Sequence, residues 1–374
     1  MTLTDPLPLA QALIRCPSVT PSDQGTQAIL IGALEALGFG ITQLPFGKTA
    51  NFWAQIGEGA PHFCFAGHTD VVPPGLSDWN HGPFSADVVD GTLFGRGACD
   101  MKGAVAAFVA AVARHLGAGK RYGTISLLIT GDEEGEAIDG TVRVVEWLRD
   151  RKIVPDFCLV GEPTNAERLG ETIKIGRRGS LNANIVVHGT QGHVAYPQRA
   201  DNPVHRLIRI LTNLTESPLD AGNEWFEPSS LQVTTIDVGN SVTNVIPASA
   251  RARLNIRFND HHRGADLAEW VRSVVASHAE KFDLDVAVSG EAFLTEPSRA
   301  VTVLRNSIAS VTGLRPRLDT GGGTSDARFI TRLCPVAEFG LVGATMHKTD
   351  ECVPVTDLNN LTLIYEAVLA EFMA

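Results

Sequence analysis

The sequence is short of positive charge. Lys and Arg number 31 against 42 Asp and Glu, and the formal net charge at pH 7 is −11. Proteins that grip nucleic acid need a basic face, so nucleic acid is not an expected partner. A local arginine cluster can still receive a small acidic substrate. Cysteine is also sparse. Cys16, Cys64, Cys99, Cys158, Cys334 and Cys352 are scattered, with no C-x-x-C pair, which argues against a disulfide framework or a structural zinc knot. Cys64 and Cys158 fall inside apolar runs and read as small buried hydrophobes. No apolar run reaches the ~18 residues of a membrane span, so no membrane partner is expected. The first residues, Met1-Thr2-Leu3-Thr4-Asp5-Pro6, lack the basic segment and apolar core of a secretory signal, and a cytoplasmic location is expected. There are no internal repeats and no low-complexity linker. A G-x-S-x-G elbow, frequent in serine hydrolases, is missing. So is G-x-G-x-x-G, and Gly47-Lys48-Thr49 carries only the tail of a phosphate-binding loop.

At 374 residues the chain has room for two domains. Helical spacing covers residues 7–15 and 23–37, with Ser22 as the N-cap of the second and Gly38 as its stop. Phe52–Ile56 and His62–Ala66 read as strands. Gly103–Leu116 is apolar nearly all round, as a helix buried inside a domain would be. Thr124–Thr130 reads as a buried strand, Val142–Arg149 as an amphipathic helix and Phe157–Val160 as a short apolar strand. Strands alternating with helices imply an α/β fold with a mostly parallel central sheet covered on both faces. After Arg178 the pattern changes. Strands are expected at Leu181–His188, Leu231–Val238, Ala250–Phe258 and Leu284–Val288, and helices at Pro203–Leu214 and Ala265–Ala279. That order, βαββαβ, is the ferredoxin-like arrangement. From about Glu291 the first style returns: helices at 300–311 and 357–372, a Gly-rich loop at 321–323 and a strand at Val336–Phe339. The boundaries expected are therefore 1–177 and 292–374 for one interrupted domain, and 178–291 for the domain inserted into it.

In such sheets ligands gather beyond the carboxyl ends of the strands. His68, Asp70, Glu133, Glu134 and Glu162 all fall just past predicted strand ends. Each residue alone is ordinarily solvated or structural. Together they read differently. His68 and Asp70 leave a buried strand and enter the apolar Val71-Val72-Pro73-Pro74, where unpaired polar groups would be costly. Asp70 can orient the His68 ring. Glu133 and Glu134 are adjacent and repel each other, and a dication would offset that. In extended backbone their side chains would point opposite ways, one to metal and one to substrate. His68, His347 and these carboxylates supply enough nitrogen and oxygen donors for two metals, and a catalytic zinc keeps one position open for water. Paired metals sit about 3.5–4 Å apart and share a bridging carboxylate.

Four motifs carry a resemblance: Gly67-His68-Thr69-Asp70-Val71-Val72-Pro73, Gly95-Arg96-Gly97-Ala98-Cys99-Asp100-Met101-Lys102-Gly103, Asp132-Glu133-Glu134-Gly135 and Gly161-Glu162-Pro163-Thr164. They resemble the co-catalytic zinc aminoacylase/carboxypeptidase family, and the match runs along essentially the whole chain. The resemblance implies a dizinc-peptidase-like catalytic domain interrupted by a dimerisation and lid domain. It implies two Zn2+ per subunit, with Co2+ able to substitute. His68 and Glu162 would hold one metal, Glu134 and His347 the other, and Asp100 would bridge them. The peptide bond after Asp100 would be cis. Glu133 would be the general acid/base and Asp70 would support His68. His193, in the inserted domain, would reach the active site of a partner subunit, which makes a homodimer necessary for catalysis.

Three further motifs, Lys174-Ile175-Gly176-Arg177-Arg178-Gly179-Ser180-Leu181, Gly189-Thr190-Gln191-Gly192-His193-Val194-Ala195-Tyr196-Pro197 and Gly323-Thr324-Ser325-Asp326-Ala327-Arg328-Phe329-Ile330, narrow the resemblance within that family. The narrower resemblance implies hydrolysis of an N-succinyl amide carrying several carboxylates, a small acidic amino-acid substrate that arginine forks suit. Arg178 and Arg257 are the candidates to receive it, with Ser180, Tyr196, Asn244, Gly323 and Thr324 as further contacts. Arg257 shares a strand face with Arg251, Arg253 and Asn255, which could equally be a solvated sheet surface. Acetylornithine deacetylase or a dizinc dipeptidase remains the rival within the same chemistry. A binding protein without catalysis is the rival outside it. Cys99, beside Asp100, is expected to be a buried, inert thiol.

Overall fold

The apolar runs at the centre of the first 160 residues become the middle of an eight-stranded sheet. In the computed structural model, which describes residues 2–119 and 123–374, the strand order is Gly40–Gln43, Phe52–Gly57, Thr124–Thr130, His62–His68, Phe157–Val160, Val336–Glu338, Thr172–Lys174 and Arg317–Asp319. The four strands from Thr124–Thr130 to Val336–Glu338 run parallel. Thr172–Lys174 and Arg317–Asp319 are parallel to each other, while the other neighbouring pairs are antiparallel. The sheet is thus mixed and mostly parallel. A parallel strand needs a crossover, and the helices Lys102–Gly117 and Thr141–Asp150 supply two of them.

The helix Lys102–Gly117 is buried almost throughout, as its small apolar residues require. It lies very close to the sheet. A Cβ on Gly67 would stand 2.6 Å from the Met101 methyl carbon and 3.2 Å from a Val105 methyl, so any larger residue there would have to push both side chains aside. Phe108 stacks on Phe65 with ring centroids 4.2 Å apart, and Tyr365 of the helix Val355–Phe372 meets both rings edge-on. All three are inaccessible to solvent. Each such aromatic contributes roughly 1.5–3 kcal/mol by leaving water, so this cluster ties the site-bearing strands to the helical layer.

The chain divides into two compact units. The larger comprises Met1–Ile175, Thr295–Asp319 and Ser325–Ala374, and the smaller Gly176–Leu294 with Thr320–Thr324. In the smaller unit the order strand, helix, strand, strand, helix, strand is Gly179–His188, Pro203–Thr215, Ser230–Asp237, Ser249–Phe258, Gly264–His278 and Phe282–Gly290. Its four-stranded sheet is antiparallel, with Gly179–His188 and Ser249–Phe258 in the middle. Strict alternation builds its core. Ala250, Ala252, Leu254, Ile256 and Phe258 are buried with Leu207, Ile210, Val271 and Val275, while Arg251 and Arg253 face outward.

Some local expectations are corrected. The second helix runs Thr26–Ala36 and is entered through Gly25 at φ +86°, not capped by Ser22. Asp23 does the capping work, its carboxylate accepting from the amides of Gly25 and Gln27. The strand expected to stop at Ala66 runs on to His68, so His68 is its last residue and does not lie beyond it. The backbone of residues 133–136 is a turn, not the extended chain that was expected to point Glu133 and Glu134 opposite ways. The short strands Val88–Val89, Thr92–Phe94 and Cys352–Pro354, which form a separate three-stranded sheet, were not foreseen.

Candidate metal centre

Strand ends place the first donors. His68 ends its strand inside the parallel block, and Glu162 follows the neighbouring strand Phe157–Val160. His68 is 1 % exposed. Its Nδ1 lies 2.9 Å from the backbone carbonyl of Asp70, which leaves Nε2 as the free donor atom. That Nε2 stands 3.3 Å from Asp100 Oδ1 and 3.7 Å from Glu162 Oε1. On the other side of Asp100, His347 Nε2 is 3.1 Å from Oδ2 and 2.9 Å from Glu134 Oε1. The Asp100 carboxylate therefore stands between two imidazoles, one oxygen toward each. The Asp100–Met101 peptide bond is cis.

Asp70 does more than face His68. Its carboxylate is 3.6 Å from Nδ1, longer than a hydrogen bond. Its two oxygens instead accept from the backbone amides of Glu133 and Glu134, at 3.3 and 3.1 Å. A buried carboxylate at the end of one strand thus fixes the turn after the next.

The electrostatics are those of too many acids in too little space. Burial, aided by Asp326, Glu134 and Asp100, pushes the Glu133 carboxyl well above the usual carboxylate range. Burial likewise raises Glu162, with Asp100 and Glu133 adding to it. Burial alone would lower His68, but the hydrogen bond to Asp100 and the charges of Glu162, Asp70 and Glu133 hold it well above the ordinary imidazole value. Hydrogen bonds to Asp100 and Glu134 raise His347 to about 10. Burial would raise Asp100 too, yet the two imidazoles hold it below the ordinary range.

Ligand atoms of His68, Glu133 and Glu162 lie within 4.8 Å of one another, as do those of His68, Asp100 and Glu134. Imidazole nitrogens with carboxylate oxygens are a donor set for zinc-like dications. Positive charge is also what these crowded carboxylates need. The residues fit a metal.

The residues expected to touch substrate all belong to the smaller unit. Ser180 pairs in register with Arg257. Arg178 depresses the Arg257 pKa, second to burial, so the two cations are neighbours. Arg178 Nη1 is 3.6 Å from Glu227, while its buried Nε has no partner. Elsewhere in the unit, the bridge Gly192–His193 with Val245–Ile246 sets His193 and Tyr196 with rings 5.7 Å apart, and the Asn244 carbonyl accepts from Val194. His193, Tyr196 and Asn244 are exposed. The loop holding Gly323 and Thr324 is fastened by Arg177, whose Nη1 donates to the carbonyls of Gly321 and Gly323.

Sequence reasoning missed Arg177, and it also missed Arg96, Lys102 and Glu351. All three of the latter are buried. Lys102 Nζ donates to the carbonyls of Leu13 and Cys16, closing the end of the first helix. Arg96 and Glu351 form an ion pair at 2.6 Å. The available signal was a charged residue inside each of two Gly-rich or loop segments flanking a proposed ligand. Cys99 is fully buried, and burial with nearby Glu351 pushes its thiol well up, so it stays protonated.

The chain belongs to peptidase family M20/M25/M40, whose pattern it matches over residues 64–371. It is a metal-dependent hydrolase of amide bonds. Its relatives narrow the class. The chain is 64 % identical, over 99 % of its length and 97 % of the relative's, to a succinyl-diaminopimelate desuccinylase of Gluconacetobacter diazotrophicus. It is 63 % identical, over 98 % of each chain, to the protein of the same name from Granulibacter bethesdensis. Among solved structures, an M20 family metallo-carboxypeptidase from Sulfolobus solfataricus superposes with a TM-score of 0.80 over 98 % of this chain and 99 % of that one. At 18 % identity that likeness speaks for the fold alone. No helix among the described residues is long and apolar enough to cross a membrane.

Proposed function

We propose that the protein removes succinate from N-succinyl-LL-2,6-diaminopimelate and releases LL-2,6-diaminopimelate, a step toward lysine and cell-wall precursors. The observation that carries this reading is the full donor set, His68, Asp100, Glu134, Glu162 and His347 around Glu133, in a chain this similar to desuccinylases.

His68 and Glu162 would hold one zinc ion and Glu134 and His347 the second, with Asp100 shared between them; cobalt could take the place of zinc. When bound, the metals supply Lewis acidity, making water acidic near neutral pH and polarising the amide carbonyl. The chain's own residues do the rest. Glu133 takes a proton from the attacking water as the carbon–oxygen bond forms. It returns that proton to the amide nitrogen as the carbon–nitrogen bond breaks, and the amine leaves neutral. Asp70 keeps Glu133 and Glu134 in place through their amides. Arg178 and Arg257 receive substrate carboxylates. Ser180, Tyr196, Asn244, Gly323 and Thr324 complete the contacts.

The working form is a cytoplasmic homodimer in which His193 of one subunit serves the other's site and steadies charge on the amide oxygen. Residues 1–177 and 292–374 act as the catalytic domain, and 178–291 as the ferredoxin-like dimerisation domain and lid. The test is hydrolysis of N-succinyl-LL-2,6-diaminopimelate by zinc-loaded protein, beside N-acetylornithine and a Glu133→Gln control. Turnover of the succinyl compound, abolished by the substitution, is expected. Turnover of N-acetylornithine alone would keep the chemistry and overturn the substrate.

A further inference from the structure

Glu351 is completely buried, and so, to 2 % exposure, is Arg96. Neither touches the donor atoms of the centre, yet each reads the backbone beside them. Glu351 Oε1 accepts from the amides of Gly97 and Cys99 at 3.1 Å and from that of Asp100 at 3.3 Å. It also accepts from the Cys99 thiol at 3.3 Å. Converging backbone amides make an anion-binding concavity, and here the anion is a side chain from the loop that carries His347. The other carboxylate oxygen meets Arg96 Nη1 at 2.6 Å. Arg96 in turn donates to the carbonyls of Lys348 at 3.2 Å and of His347 and Pro73 at 3.4 Å. Its guanidinium carbon lies 5.1 Å from the centre of the Trp79 ring.

We infer that Arg96 and Glu351 are positioning residues that lock the Asp100 loop and the His347 loop to each other, and so set the second metal position before any metal arrives. The inference rests on the two-metal reading above. Its asymmetry follows from the fold. His68 and Glu162 stand at the ends of adjacent strands and are held by the sheet. His347 stands in a loop at φ +61°, a conformation non-glycine residues rarely adopt, and the Arg96 bond to its carbonyl helps hold it there. Side chains on regular elements are held more firmly than those on loops. Loosening the clamp therefore falls on the Glu134–His347 position.

The test is zinc titration of metal-free protein against a chromophoric chelator, for wild type, Arg96→Lys and Glu351→Gln, with circular dichroism of each metal-free protein. Supporting partners beyond the ligands typically govern metal affinity by 10–100-fold. One of the two zinc affinities should fall by about that much in the variants, and the other by less than about 3-fold. Unchanged affinities in folded variants, or equal weakening of both, would overturn the clamp. Amide hydrogen exchange on metal-free wild type tests it without any substitution. Protection of Gly97, Cys99 and Asp100 is expected, and free exchange there would overturn it even if the variants do not fold. Wild-type protein that takes up no second zinc would sink the two-metal reading and this inference together, a result distinct from loss in the variants alone.

Discussion

Asp70→Asn is the substitution that best isolates positioning from chemistry. The carboxylate is 1 % exposed and uses one oxygen for each of two amides, those of Glu133 and Glu134. Asparagine keeps one oxygen and replaces the other with an amino group, which then faces a backbone N–H. One hydrogen bond to a charged acceptor is lost, worth about 1.5–3 kcal/mol, and a buried donor is left unpaired, at roughly 1–3 kcal/mol. The turn can relax, so about 3 kcal/mol of the sum is a fair figure for what reaches the site. At 1.36 kcal/mol per decade that is about a 100-fold loss in kcat. Steady-state hydrolysis of N-succinyl-LL-2,6-diaminopimelate at saturating zinc reads it directly. KM should move less than about threefold, because the proposed substrate contacts lie on other residues. A folded variant with kcat within about threefold of wild type would refute the claim that Asp70 holds Glu133 in its working place.

Other outcomes follow from single features. A Cβ on Gly340 would stand 2.2 Å from the Gly161 carbonyl and 2.6 Å from that of Glu162; backbone must shift, so Gly340→Ala should cost about 2 kcal/mol and weaken zinc binding through Glu162. Gly343→Ala, whose nearest neighbour is 3.5 Å away, should melt and bind like wild type, and equal behaviour of the two variants would count against the packing argument. His347, raised to about 10 in the metal-free fold, is protonated at neutral pH and must lose that proton when it binds metal. Zinc titration calorimetry in buffers of different ionisation enthalpy should therefore show at least about one proton released per chain at pH 7.5, and none would be the contrary result. Because its folded value exceeds the ordinary 6.5, His347 stabilises the metal-free fold fully below about 6.5. That contribution fades as pH rises through about 10, so the metal-free melting temperature should fall over that range. Light scattering should give the mass of two chains, and a monomer that turns over substrate at the full rate would remove the need for His193 from a partner.

The long elements were legible because their periodicity leaves little choice. Phe157–Val160 is all-apolar, Thr124–Thr130 has an apolar centre with every residue buried, and both lie in the middle of the sheet. The alternation of Arg251, Arg253, Asn255 and Arg257 with buried Ala252, Leu254 and Ile256 was equally plain. Three-residue strands such as Thr92–Phe94 and Arg317–Asp319 carry too few side chains to show a period. His68, Glu134 and Glu162 could be found because strand ends and adjacent acids are visible in a linear chain, whereas the roles of Asp100 and His347, both in loops, came only with the resemblance. Glu351 and Arg177 could not, since both act on backbone groups, and a backbone amide or carbonyl has no letter of its own. The choice of Arg178 over its neighbour shows the limit well. Adjacent arginines look alike in sequence, yet one fastens a loop and the other lies beside Arg257.

The crowding of acids at one sheet edge has a thermodynamic consequence that links fold to function. Glu133 and Glu162 hold protons more tightly in the metal-free fold than in the unfolded chain, because burial and each other's charge disfavour ionisation. A group raised in this way makes the folded state lose stability as pH climbs from the ordinary carboxylate value toward the folded one. His347 adds the same trend at higher pH. Near neutrality the metal-free site is thus held together partly by protons, in positions where dications would do the same work with more charge. The surrounding structure is what keeps the acids from moving apart. His68 and Glu162 are fixed by adjacent strands, Asp70 grips the Glu133–Glu134 turn, and Glu351 with Arg96 grips the Asp100 and His347 loops. A site that cannot relax its repulsion by spreading must relax it by binding positive charge, so part of the stability invested in the sheet is returned as affinity for metal.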